Sequence, residues 1–193
     1  MHSLDFSNIS VSAVGAQALA EGLAINNSLT ELLVQRNNIP DAGVQALEEA
    51  LKVNSSLTKL NVDGRKISLA GVRALAEALK VNSELAWLSL GSCNISSAAA
   101  GRALAEALKV NSKLASLSLS GCDISSSAAA LALAEALKVN RSLKSLDLSR
   151  TGISNAGVQA LAEALTLNDS LPTLNVDCNS DITDAGPKLW VKL

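Results

Sequence analysis

Aromatic side chains are nearly absent from this chain: one Phe, two Trp and no Tyr among 193 residues. The 48% apolar content must therefore come from Leu, Ala, Val and Ile, and small aliphatic layers of one kind suit stacking on copies of themselves. Histidine is scarcer still. With His2 alone, at the N-terminus, no Ser/His or Cys/His arrangement for nucleophilic catalysis can be assembled. Nor can a zinc site form, since only His2 could join the cysteines. No glycine loop followed by Lys-Ser/Thr is present to cradle phosphate. No apolar run approaches the roughly 20 residues of a bilayer span, and no signal-peptide pattern precedes the first strand. A net charge of −2 argues against a polybasic surface for nucleic acid or membrane. The expectation is a non-enzymatic, cytoplasmic chain without cofactor, metal or catalytic residues.

What the chain has is a repeat. Residues 143–168, LKSLDLSRTGISNAGVQALAEALTLN, space leucines as L-x-x-L-x-L and add Ile153 five residues after Leu148. From Gly157 onward, Val158, Leu161 and Leu165 fall three and four apart, which is one face of a helix. The leading leucine recurs at Leu29, Leu57, Leu85, Leu114, Leu143 and Leu171, at steps of 28 or 29 residues. A period of this size predicts a solenoid of strand–turn–helix units. No boundary interrupts it. Residues 1–193 are read as a single domain, with a partial first repeat over 1–28, repeats starting at 29, 57, 85, 114 and 143, and a truncated last repeat over 171–193.

Within each unit the punctuation is regular. Asp41 is expected to cap the second helix, and Glu48 and Glu49 to pair with Lys52. Asn54 recurs as Asn82, Asn111, Asn140 and Asn168. It is expected to be structural, in the left-handed conformation that Asn tolerates after a helix. The N-x-S/T sequons at several of these positions, and at Asn8 and Asn94, are by-products of the repeat. The extra residue of the two 29-residue units falls in Ser/Ala runs (96–100 and 125–130) between strand and helix, where a slack loop absorbs it. Cys93 and Cys122 occupy one slot of consecutive units, either as buried thiols or as a disulfide. Neither end carries a polar cap, so the chain is either a fragment or meets another chain through Leu4, Phe6 and Leu23 at one edge and Leu174, Leu189 and Trp190 at the other. Trp190 stands where other helices place a core leucine and is expected to seal that end.

The pattern L-x-x-L-x-L-x-x-N/C-x-I followed by G-x-x-A-L-A-E-A-L-K resembles the ribonuclease-inhibitor-like class of leucine-rich repeats over almost the whole chain. That class includes ribonuclease inhibitor, the sensor regions of NOD-like receptors and the Ran GTPase-activating protein. The resemblance implies an α/β solenoid: a right-handed horseshoe with a parallel sheet on the concave face and helices on the convex face. Spacing argues for the same bend, because strands sit about 4.8 Å apart and packed helices roughly 8–10 Å apart. The family's ladder slot is kept as Asn37, Cys93, Cys122 and Asn179 and departs to Arg65 and Thr151.

Strand alternation sends the residues between the leucines to the concave face. Its candidate partner-binding residues are Glu31, Leu33, Arg36, Lys59, Asn61, Asp63, Trp87, Ser89, Ser118, Asp147 and Arg150. Trp87, on a middle rung amid Ser, Gly and Ala, has the look of a binding hot spot; the competing reading lays it flat over Lys59 and Ser116. Arg36, Lys59, Asp63, Asp147 and Arg150 form a mixed-charge rim suited to specificity. The Glu77/Lys80, Glu106/Lys109 and Glu135/Lys138 pairs of the outer face repeat too regularly to mark a site. The favoured function is a protein-protein interaction module. Two alternatives stand beside it: a GTPase activator of the Ran-activating type, whose acidic tail has no counterpart here, and a structural module that forms homo-oligomers through its ends.

Overall fold

A computed structural model describes residues 2–37, 39–64, 67–93, 98–180 and 182. Among them, seven strands of three residues alternate with six helices of thirteen. The order is β1 (Ser3–Asp5), α1 (Ala13–Ile25), β2 (Glu31–Leu33), α2 (Asp41–Val53), β3 (Lys59–Asn61), α3 (Leu69–Val81) and β4 (Trp87–Ser89). It continues with α4 (Ala98–Val110), β5 (Ser116–Ser118), α5 (Ser127–Val139), β6 (Ser145–Asp147), α6 (Asn155–Leu167) and β7 (Thr173–Asn175). The strands form one parallel sheet in chain order, so each helix is the crossover between neighbouring strands. Register aligns equivalents: Leu32, Leu60, Leu88, Leu117, Leu146 and Leu174 stand in one line. All six are buried, together with the helix stripes such as Val44, Leu47 and Leu51. Burial alternates along the strands as the period of two requires. From Asn61 to the start of α3 is eight residues and from Ser118 to the start of α5 is nine, so the extra residue of the longer units does lie between strand and helix.

Close helix packing depends on a small residue near each helix start, glycine in every helix but α5, where Ala130 takes the place of Gly101. At Gly101 an added Cβ would come within 2.5 Å of the Ala129 Cβ, which lets α4 and α5 approach over small residues. Glu48, Glu49, Glu77, Glu106 and Glu135 pair with the lysine three or four residues on. Glu49 and Glu48 push Lys52 up to about 12.

Two expectations about caps are corrected. The asparagines after the helices are not left-handed. Asn54, Asn82, Asn140 and Asn168 are extended, with φ between −69 and −106°. Their work is done by the carboxamide. Asn111 Oδ1 accepts from the N–H groups of Lys113 and Leu114, while its Nδ2 donates to the carbonyls of Leu79 and Asn82 in the preceding repeat. The same bonds recur at Asn54, Asn82, Asn140 and Asn168. Each carboxamide thus reaches the backbone of the asparagine before it, and all five are buried. Asp41 does not cap its own helix either. Pro40 is the N-cap of α2, and the Asp41 carboxylate accepts from Ser68 N–H, Ser68 Oγ–H and Gly71 N–H, capping α3 from one repeat back. A helix start is an anion site whichever chain segment supplies the anion.

On the other side, in the strand-to-helix turns, Asn37 and Asn179 bridge repeats. Asn37 donates to the carbonyls of Phe6 and Val34 and accepts from Ile9 and Val11 N–H. Asn179 bonds the Leu148, Val176, Thr151 and Ile153 backbone alike. Thr151 donates to the Leu148 carbonyl, and Cys122 Sγ–H to that of Leu90. Cys93 and Cys122 are buried free thiols; the hydrogen bond between them, with burial, pushes Cys93 far above the ordinary thiol range. Leu23 is buried in the first repeat, not open at its edge, while Leu4 and Phe6 are half-buried. Arg65, Asn94, Gly186, Pro187, Leu189 and Trp190 lie outside the described residues. Among those described, no helix is long and apolar enough to cross a membrane.

Candidate functional site

The face of the sheet opposite the helices is built from two columns of strand side chains and a rim of turn residues. The first column runs Ser3, Glu31, Lys59, Trp87, Ser116, Ser145, Thr173. Its first four members are tied together. Ser3 Oγ–H donates to Glu31 at 3.1 Å, Lys59 Nζ lies 2.5 Å from the other Glu31 oxygen, and the same ammonium stands 5.0 Å from the centroid of the Trp87 ring. A cation at that distance is drawn to the negative face of the indole. Lys59 first, then Ser3, holds the Glu31 carboxyl below its ordinary range. Trp87 is half-buried, and beyond it the column continues as serines.

The second column runs Asp5, Leu33, Asn61, Ser89, Ser118, Asp147, Asn175. Leu33, Asn61, Ser118 and Asp147 are half-buried. Asn61 and Asp147 each accept the N–H two residues on, from Asp63 and Ser149, which shapes the turn after the strand. Ser89 is a correction. Alternation predicts an open side chain, yet it is only 3% exposed, because Asp63 from the preceding repeat folds over it. Ser89 Oγ–H and Gly91 N–H both donate to Asp63 Oδ1. A Cβ on Gly91 would sit 3.0–3.2 Å from that carboxylate, so the glycine is what admits it.

The rim lies where the strands end. Arg36, Ser92, Arg150 and Cys178 hold φ between 56 and 59° in the left-handed region, with Gly121 at 72° in the same slot. Non-glycine residues there are strained by about 1–2 kcal/mol. Arg36 and Arg150 are exposed, and among the described residues neither guanidinium has an ion-pair partner. Beside Arg36 opens a cleft of about 740 Å³ lined by Asn8, Gln35, Arg36, Asn37, Asp63, Gly64 and Ser92. Gln35 Oε1 is buried in its wall without a hydrogen-bond partner.

The candidate residues thus fall into groups. Glu31, Lys59 and Trp87 form one linked row; Arg36 and Asp63 share the cleft; Asp147 and Arg150 stand apart on β6 and its turn. No group of three or more His, Cys, Asp or Glu among the described residues is placed to hold a metal. One surface feature escaped the sequence reading. Ile25, Val53, Val81, Val110, Val139 and Leu167, the last residue of each helix, are 58–82% exposed and form an aliphatic row along the repeats. Its signal was present in the recurring Lys-Val-Asn at the helix ends.

With strand, helix and ladder in place, the pattern can be compared with known proteins. The Leucine Rich repeat model matches residues 26–47, 110–131 and 139–162. The chain has the leucine-rich-repeat fold. No curated protein matches its sequence. Among solved structures it is similar to the actin-binding site 2 of leiomodin-1, at 22% identity and a TM-score of 0.64, over 72% of this chain and 80% of that one. It is also similar to the C-terminal domain of tropomodulin from Caenorhabditis elegans, at 19% identity and a TM-score of 0.64, over 79% and 92%. At these identities the leucine-rich-repeat likeness is one of fold.

Proposed function

We propose that this leucine-rich-repeat solenoid is a non-enzymatic module that binds a protein partner through the sheet face, the side toward which the closer spacing of strands than of helices would bend the stack. The observation that carries the reading is the Glu31–Lys59–Trp87 row. A large half-buried aromatic is held in one orientation by a cation that is itself held by a carboxylate. A fixed anchor loses little side-chain entropy on binding, and the serine floor beyond it leaves room for a partner to lie close. The leiomodin-1 relative is named for binding actin, which supports a protein as the class of partner. The free buried thiols fit a reducing, cytoplasmic setting.

The test is affinity capture from a lysate with wild-type chain against Trp87→Ala. A partner held by this face is weakened by at least ~2 kcal/mol while the circular dichroism spectrum is unchanged. Equal capture by both would move the site off the sheet. A second reading, self-association through the first repeat, is favoured by an apolar groove of about 170 Å³ between Leu4, Leu19, Leu29 and Leu32. Light scattering decides it: a monomer at high concentration removes it.

A further inference from the structure

We infer that the cleft at the ends of β2 and β3 is a subsite for a cationic side chain, a guanidinium or an ammonium, supplied by the partner. The inference rests on the protein-partner reading above and gives that partner a chemistry.

What Asp63 lacks in this cleft is a charged partner. Asp63 is fixed by two neutral donors, Ser89 Oγ–H and Gly91 N–H, both on one oxygen. No lysine or arginine among the described residues pairs with it, although Arg36 lines the same cleft. A carboxylate partly withdrawn from water and lacking a counter-ion is a standing demand for a cation. Gln35 Oε1, buried with no donor, adds a second unmet acceptor in the same wall. A guanidinium answers the Asp63 charge, with planar N–H groups that pair with a carboxylate.

The wider face agrees. Among the described residues, Asp5, Glu31, Asp63, Asp147 and Asp177 stand on it or its rim against Lys59, Arg36 and Arg150, five negative charges against three positive. Lys59 is already committed to Glu31. Arg36 is exposed, so water and salt screen its repulsion of a guest more than they screen the attraction of the half-buried Asp63. The cleft's 740 Å³ falls in the range of sites that enclose a ligand group.

The test is a titration of the 15N-labelled chain with N-acetyl-arginine amide, beside N-acetyl-citrulline amide as its uncharged isostere. The arginine probe should give saturable shifts at the Gln35 side-chain amide and at the Gly64 and Ser92 backbone amides, while citrulline gives none. Affinity should fall at least about fivefold in Asp63→Asn and in Gln35→Leu, as loss of a charge-assisted bond requires. If Asp63→Asn unfolds, Gln35→Leu decides alone. Equal shifts from both probes, no saturable shift, or an arginine affinity unchanged by Gln35→Leu would overturn the subsite. So would preferential binding of N-acetyl-aspartate amide. Loss of arginine binding while partner capture still depends on Trp87 sinks the subsite and leaves the face reading standing. Arginine binding retained while capture ignores Trp87 does the reverse.

Discussion

The two edges of this solenoid solve the same problem in different ways. Where helix runs back to strand, one residue type, Asn, occupies the slot from Asn54 to Asn168, and each copy makes the same set of bonds to the repeat before it. Where strand runs out to helix, the equivalent slot holds Asn37, Cys93, Cys122, Thr151 and Asn179, and the bonding varies with them. The first edge is uniform because every copy must satisfy two carbonyls and two N–H groups in a buried turn, and a carboxamide alone offers both a donor pair and an acceptor oxygen. The second edge tolerates substitution because its backbone already finds partners across the sheet ladder. Variation, strain and the cleft all gather there.

The contrast can be broken by paired substitution. Asn111→Ala strands two carbonyls and two N–H groups in a buried turn and is expected to cost about 3–5 kcal/mol, whereas Cys122→Ala, losing one weak thiol donor and little volume, costs about 1 kcal/mol. Urea denaturation of both variants checks this, and equal losses would end the distinction between the edges. A smaller effect of opposite sign sharpens it. Arg36→Gly relieves a left-handed residue and should stabilise the chain by about 0.5–1 kcal/mol after the entropy of the added glycine is counted. Arg150→Gly should do the same, and a fall in the denaturation midpoint for both would mean that the arginines are held by contacts that outweigh the strain.

The smallest effect concerns acidity on the sheet itself. Glu31 is held below its ordinary value of 4.5 by Lys59. Its pairing therefore contributes at pH above that value and is lost as pH falls through the depressed one. In Lys59→Met the Glu31 titration, followed by the carboxyl 13C shift, should move up toward 4.5. An unmoved curve would assign the depression to Ser3.

How much of this was written in the sequence divides along the same line. The leucine period gave strand, helix and register, because burying one face of each element leaves a single solution. It also put Glu31, Lys59 and Trp87 in one row, since residues 28 apart must be neighbours. It misjudged whatever depended on which repeat a polar group serves. Asp41 reads as the cap of its own helix and caps the next; Asn54 reads as a left-handed stop and is an extended bridge. Ser89 reads as open and lies under Asp63. Left-handed Arg36 and Arg150 carried no sign at all, as arginine has no preference for that conformation. A repeat fixes what is common to its copies and is silent about contacts made between unlike ones.

The asparagine relay has one more consequence. Because every carboxamide leans on the turn behind it and none on the turn ahead, the seam between any two units is the same half-lap joint. A length of chain cut from one asparagine to the next could be copied in or left out, whether 28 or 29 residues, and the flanking units would close on it without redesign. Such a molecule can grow or shorten while its Glu31–Lys59–Trp87 row stays as it was.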